Sequence, residues 1–406
     1  MGSMSRRAIL AVLVGSLGYF VDIYDLVLFS IVRVASLKAL GVPDSELLNV
    51  GVTLLNCQMT GMLIGGVVWG VLGDKRGRLS VLFGSIFLYS AANIANGFVT
   101  SVDAYAVLRF IAGLGLAGEL GAAITLVSET LSKESRGFGT AIVAGVGLSG
   151  AVAAGLTADL MPWNYSYIVG GTLGLCLLAL RVGLLESGMY LTVSQSNVRK
   201  GDLGLLLGSR ERFTKYIACI LIGVPIWFLV GVIITFSPEI SKELGIVGDI
   251  QVGKGILFTY AGVAVGDLAS GFMSQWIRSR KKVVWIFMGA EAVLVAALLM
   301  SHGLTSDQFY ALCVAMGFAT GFWAVFVTIA AEQFGTNLRA TVATSVPNFV
   351  RGSVVPMTLL FRWFSEQTSL VVGAGLVGIL CLVLAVIALW SLHETYGKDL
   401  NYLEVP

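Results

Sequence analysis

Apolar residues run along this chain in blocks, not stripes. Stretches at approximately 8–35, 49–72, 79–98, 104–131, 137–160, 165–186, 214–236, 253–277, 283–302, 308–333, 339–363 and 369–391 are long and largely apolar on every face, with short polar punctuation between them. Roughly 20 such residues suffice for a helix to cross a bilayer. A helix apolar all round has no face to turn to water. The pattern therefore predicts an all-α membrane protein of twelve transmembrane helices.

Composition and charge sharpen that picture. Charged residues are 12% of the chain, about half the share of an ordinary soluble domain. Lys and Arg gather in alternate loops: Arg6 and Arg7, then Lys75, Arg76 and Arg78, Lys133 and Arg136, a cluster over 199–215, Arg278 through Lys282, and Arg339. The opposite loops hold little beyond Lys38, Lys242, Lys254 and Arg362. Basic residues accumulate on the cytoplasmic side, so a multi-pass protein of the inner (plasma) membrane is expected, with both termini cytoplasmic. The net charge of +2 follows from that topology and needs no nucleic acid as partner. Cys57, Cys176, Cys219, Cys313 and Cys381 are isolated within apolar spans, without metal-ligand or disulfide spacing. Without a metal cluster, nucleophile triad or phosphate loop in the sequence, neither an enzyme nor a bound cofactor is expected. Fifty glycines point to helices in close contact.

The chain also resembles itself at an offset of about 203 residues: Glu129 and Arg136 recur as Glu332 and Arg339, and Gly118 as Gly321. Two parallel halves fit the repeat logic of secondary transporters, in which substrate binds near the midplane between them. The expected division is a six-helix bundle over 1–186, a cytoplasmic linker over 187–213, a second bundle over 214–391, and a cytoplasmic tail over 392–406.

Gly73-Asp74-Lys75-Arg76-Gly77-Arg78 resembles the signature loop of the major facilitator superfamily, and Arg109 with Gly113, Gly115 and Gly118 resembles the arginine-glycine pattern of its fourth helix. Glu129 to Arg136 with its repeat, Glu186-Ser187-Gly188-Met189-Tyr190-Leu191, and Glu394-Thr395-Tyr396-Gly397-Lys398 resemble the cytoplasmic motifs of sugar porters, organic-ion transporters, and phosphate:proton and metabolite:proton symporters. The resemblance covers the whole chain. It implies two pseudo-symmetric six-helix bundles working by alternating access, as a monomer. It also implies a cytoplasmic gate at Asp74, Arg78, Glu129, Arg136, Glu332 and Arg339, where side chains pair with each other and with helix termini.

Ionisable groups at membrane depth are costly, about 2.5–3.5 kcal/mol each for Asp, Lys or Arg at a helix centre, and so mark function. Asp22 and Asp25 sit three residues apart on one helical face. Two such carboxylates cannot both ionise cheaply in low dielectric, so at least one is expected to hold a proton near neutrality. The run resembles the paired-aspartate motif of phosphate and metabolite symporters, with Ile23 where the latter place Gly. Arg109 lies at a depth comparable to Asp25, and in the sugar-porter branch an aspartate and an arginine at the matching positions form the proton-coupling pair, a role the resemblance carries over. Glu119 resembles the glycine-flanked acidic residue of the same symporters, either carrying the proton, touching substrate or bonding a neighbouring helix.

In the second half Arg351 lies near the midplane, and a guanidinium there favours an anion it can grip bidentately. Pro347 is expected to kink that helix and free carbonyls and Asn348 for a ligand. Tyr19, Gln58, Trp227, Trp323 and Asn348 complete the expected substrate contacts, with core packing the alternative for the tryptophans. The phosphate symporters carry an aspartate in the seventh helix, which here reads Trp227-Phe228-Leu229-Val230-Gly231 without one. Asp267 and Glu291 are also at depth, and either is a possible partner for Arg351, with structural bonding favoured for Glu291. Arg33 is expected to snorkel toward the outer headgroups.

These residues point to a proton-coupled symporter for a small organic anion such as a carboxylic acid. The alternatives are a proton-coupled antiporter or exporter of an amphiphilic or cationic solute, and a membrane sensor that binds without transporting.

Overall fold

The structure, a computed structural model, describes residues 6–131, 136–180, 202–398 and 401–404. The side chains of Arg78, Glu129 and Arg136, expected at the gate, lie outside that description, as do Glu186–Leu191 and most of the expected linker. In chain order α1 is Arg6–Ala39, α2 Leu47–Arg76, α3 Arg78–Asn96, α4 Val102–Leu116 with Glu119–Thr130, α5 Arg136–Leu160 and α6 Trp163–Leu180. In the second half, α7 comprises Arg210–Leu221, Val224–Phe228, a π-helical turn Leu229–Ile234 and Ser237–Glu243. Then come α8 Val252–Trp276, α9 Arg280–Leu299, α10 Ser306–Thr320 with Trp323–Glu332, α11 Arg339–Gly352 with Val354–Gln367, and α12 Leu370–Ser391.

Among the described residues ten helices are long and apolar enough to cross a membrane. The two remaining crossings are α5, whose Gly145–Leu160 part is a shorter apolar helix, and α11, which carries Arg339, Asn348 and Arg351.

The expected spans are interrupted where glycine lets a neighbour come too close for a side chain. α4 breaks at Ala117-Gly118 and α10 at Gly321-Phe322, which are equivalent positions of the repeat. A Cβ on Gly321 would sit 2.5 Å from the backbone of Gly266, and one on Gly118 2.7 Å from Cβ of Ser85. The same logic joins α2 to α4 and α8 to α10. Cβ atoms on Gly61, Gly65 and Gly113 would overlap backbone across the first pair, as would those on Gly262, Gly266 and Gly317 across the second. In lipid, where apolar burial gives no drive, such close packing holds helices together. α11 departs from expectation, since it runs through Pro347 unbroken and yields only at Ser353.

The halves meet along two related seams, α2 against α11 and α5 against α8. At the end carrying the 73–78 loop the first seam is locked by polar contacts. Both Asp74 carboxylate oxygens accept from the start of α11, from the backbone N–H of Ala340 (3.2 Å) and Thr341 (2.8 Å) and from the Thr341 hydroxyl (2.6 Å). These are free donors of a helix N-terminus meeting a negative charge. One level deeper the Asn348 amide joins α11 to the break in α4, donating to the Ala117 carbonyl at 2.7 Å. On the same end the Glu332 carboxylate accepts from Nε and Nη2 of Arg280 at 2.7 and 2.8 Å, and Glu394 accepts from the backbone N–H of Arg280 at the start of α9. Burial acts to raise the Glu394 pKa, but the bonds from Ser279 and from the N–H groups of Tyr396, Arg280 and Lys281 hold it below the usual carboxylate range.

Asp74→Asn keeps the shape of that lock but removes the charge facing the α11 N-terminus, worth about 0.3–1 kcal/mol. The expected result is faster thiol labelling, from the basic end, of a Thr344→Cys reporter buried in the seam. Unchanged labelling would mean the contact does not hold the end shut.

Candidate functional site

Midway between the two ends, α1, α5, α7, α8, α10 and α11 enclose a cavity of about 20 Å³ lined by Tyr19, Trp227, Tyr260, Trp323 and Arg351. That volume holds little more than one water, so this is an occluded state. Arg351 is its only cation among the described residues lining it. The guanidinium lies 5.5 Å from the Trp323 ring centre and donates at 3.5 Å to Asn348 Oδ1. Across the interface its Nη2 reaches Asp22 Oδ2 at 3.4 Å, an ion pair that joins the two halves. Both residues are fully buried, and Arg351 Nε and Asp22 Oδ1 lack a partner. An incompletely satisfied buried ion pair is a weak source of stability and a ready acceptor of a further anion or proton.

One turn along α1, Asp25 is buried with neither carboxylate oxygen hydrogen-bonded. Arg109 is within electrostatic reach, but no ion pair forms. Its guanidinium packs instead against the faces of Phe29 (5.3 Å) and Tyr167 (5.5 Å) and donates to Asn93 Oδ1 at 3.5 Å. The expected Asp25–Arg109 partnership is thus one of neighbours held apart by aromatic contacts, with Nε and Nη2 of Arg109 unpaired. Glu119, at the restart of α4 after its break, is buried within electrostatic reach of Asp22.

Several expectations are corrected. The partner of Arg351 is Asp22, not Asp267 or Glu291. Asp267 Oδ1 accepts from the Ala324 N–H at 2.9 Å, fixing the restart of α10 and with it Trp323. Glu291 faces a separate pocket between α7, α9 and α12. Gln58 does not reach the cavity. Its backbone packs against Gly113, and its amide points at the Leu26 carbonyl, 3.4 Å away. Arg33 is buried at 6% exposure, its stem against Gly51, and does not snorkel. Tyr19, Trp227 and Trp323 line the cavity, but Asn348 does not: its amide nitrogen donates to the Ala117 and Thr344 carbonyls and its oxygen accepts from Arg351.

Sequence reasoning missed Tyr260 and Asn93. A signal existed for Tyr260, which lies two helical turns before Asp267 on the same face of α8. Asn93 is a fully buried amide in α3, a position whose cost deserved the same question as the charges.

On the side away from the Asp74 lock, the cavity is sealed mainly by apolar side chains, with Leu26 and Met59 facing Trp227, Val230 and Val354. The π-helical turn of α7 lies in this wall. Such turns concentrate at functional positions because they leave backbone groups free to re-pair.

The family model that matches the chain over residues 15–354 is that of the Major Facilitator Superfamily. The chain belongs to this family. The proton:xylose symporter superposes on 98% of both chains with a TM-score of 0.71 at 18% identity, which establishes the shared fold. Among curated relatives, the gentisate transporter of Corynebacterium glutamicum is 25% identical, covering 97% of this chain and 90% of its own. A putative niacin/nicotinamide transporter of Bacillus subtilis is 24% identical over 94% and 96%, and the 3-(3-hydroxy-phenyl)propionate transporter of Escherichia coli 28% identical over 83% and 84%. The chain is accordingly a multi-pass membrane transporter and not an enzyme.

The crowding around Asp25 is testable. A Cβ on Gly170 would overlap Asp25 Oδ1, whereas one on Gly289 meets nothing within 4 Å. Overpacking costs about 1–3 kcal/mol, so Gly170→Ala is expected to slow uptake by roughly tenfold or more while Gly289→Ala leaves it unchanged. Equal rates in the two variants would deny Asp25 a constrained role.

Proposed function

We propose that this transporter is a proton-coupled symporter for a small aromatic carboxylate. The observation that carries the reading is Arg351, a single buried guanidinium in an aromatic-walled cavity between the halves, whose countercharge is borrowed from Asp22 across the interface. Planar guanidinium matches carboxylate in two parallel bonds. Tyr19, Trp227, Tyr260 and Trp323 offer ring faces and edges to an aromatic body. The named cargoes of the relatives, gentisate and 3-(3-hydroxy-phenyl)propionate among them, support the same class.

Coupling follows from charge balance. In the occluded state Asp22 neutralises Arg351. A substrate carboxylate taking Arg351 releases Asp22 into a dry cavity beside Glu119, where an unpaired charge is expensive, so anion and proton enter as a neutral pair. Asp25, freed from direct pairing with Arg109, is a second proton site on the same helix face. Opening alternates between the apolar wall, facing outward, and the Asp74 lock, facing the cytoplasm.

The test is internal pH in dye-loaded proteoliposomes after external addition of an aromatic acid, phosphate, a sugar or an organic cation. Acidification with the aromatic acid alone, absent in Asp25→Asn, is the expected outcome. Alkalinisation by the cation would replace the reading with antiport, and silence to every solute would remove proton coupling.

A further inference from the structure

Apart from the central cavity, an apolar-lined pocket of about 310 Å³ lies between α7, α9 and α12. It lies on the outer flank of the second half. α9 and α12 are among the least buried of the crossing helices, and Val293, Met300 and Ile379 beside the pocket are more than 60% exposed. In a membrane those surfaces face acyl chains, so the pocket opens on lipid. Small residues, Ala292, Ala296, Gly375 and Gly378, create the space. One group contradicts its apolar lining. Glu291, 3% exposed, lies in the pocket wall with neither carboxylate oxygen accepting a hydrogen bond. The neighbouring Thr320 hydroxyl donates instead to the Met316 carbonyl at 2.8 Å.

A carboxyl at membrane depth is costly unless a partner satisfies it. Neither the transport cavity nor the Asp22, Asp25 and Arg109 cluster uses this one, and the described residues lining the pocket include no Lys, Arg or His. We infer that this pocket is a binding site for a lipophilic amine, whose nitrogen pairs with Glu291 while its hydrocarbon fills the space between α7, α9 and α12. A hydrocarbon amine crosses lipid in its neutral form. In the pocket the carboxylic acid proton passes to the amine nitrogen, giving an ammonium carboxylate with no net charge brought into the membrane. A fatty acid would add a second carboxyl against Glu291, and an alcohol offers only one neutral hydrogen bond. Amine over alcohol over acid is therefore the selectivity of the site.

The wall of the pocket includes Pro225 and Phe228, directly before the π-helical turn of α7 that also borders the central cavity. An occupant therefore touches the helix that borders the central cavity without entering that cavity.

The experiment uses the full chain in lipid nanodiscs and measures thermal unfolding against decylamine, decanol and decanoic acid. Decylamine is expected to raise the midpoint by several degrees in a saturable way, with the alcohol and acid giving little. Glu291→Gln, which keeps a polar group of the same shape, should lose the amine shift. Ala296→Phe, which fills the space and leaves the carboxyl in place, should weaken it at least tenfold in apparent affinity. Equal shifts from amine and alcohol, or an amine shift that survives in both variants, would overturn the site.

Discussion

Arg351→Lys is expected to cut aromatic carboxylate uptake by on the order of 100-fold while the protein stays folded. Lysine keeps the charge that neutralises Asp22, so the buried pair survives in reduced form. What it loses is the planar fork that takes a carboxylate through two bonds and the flat face that lies along Trp323. Removing a bidentate charged interaction from a buried site costs about 2–5 kcal/mol, and each 1.4 kcal/mol is a factor of about ten. Arg351→Ala should behave differently, because it strands Asp22 without a countercharge and is expected to cost about 3–5 kcal/mol of stability as well. Uptake by proteoliposomes and thermal unfolding, measured on both variants, separate the two effects. Near-normal uptake in Arg351→Lys would show that the site asks only for positive charge, and the aromatic carboxylate reading would fall with it.

The number of helices, their approximate limits and the repeat were legible because lipid leaves a strong mark: a blocky apolar pattern has few other uses. The charges at depth were legible for the same reason, since each is expensive and few exist. Pairing was not. Asp25 and Arg109 sit at matching depth, yet Phe29, Tyr167 and Asn93 take up the guanidinium, and a linear sequence gives depth far better than it gives rotation about a helix. The Asp22–Arg351 pair joins residues 329 positions apart, and it needed the packing of α1 against the second half to become visible. The breaks in α4 and α10 were hidden because their glycines read equally well as packing residues, and they are both: close approach and interruption occur at the same positions. Gln58 was misplaced by the reverse error, a polar residue assumed to face the cavity when the glycine seam between α2 and α4 turns it away.

Asp22→Asn tests the coupling step, and its expected signs are opposite for binding and for pumping. Asparagine resembles the protonated carboxyl in shape and charge, so Arg351 is left without its internal competitor. The substrate anion no longer has to displace an ion-pair partner before it binds. In the wild type, binding the anion takes up a proton, so affinity falls as the pH rises; in the variant this dependence should vanish. Affinity measured at high pH should accordingly rise, by about tenfold if the 3.4 Å pair contributes about 1.4 kcal/mol of competition. Exchange of external for internal substrate, which needs binding and reorientation but no net proton movement, should continue. Accumulation against a gradient should collapse, by roughly 100-fold or more, because the proton has lost its link to the anion. Tryptophan fluorescence of Trp227 and Trp323, which line the cavity, gives affinity, and counterflow against proton-driven uptake gives the split. If Asp22→Asn binds more weakly, Asp22 touches the substrate instead of competing with it; if it still accumulates substrate, the coupling proton resides on Asp25 alone.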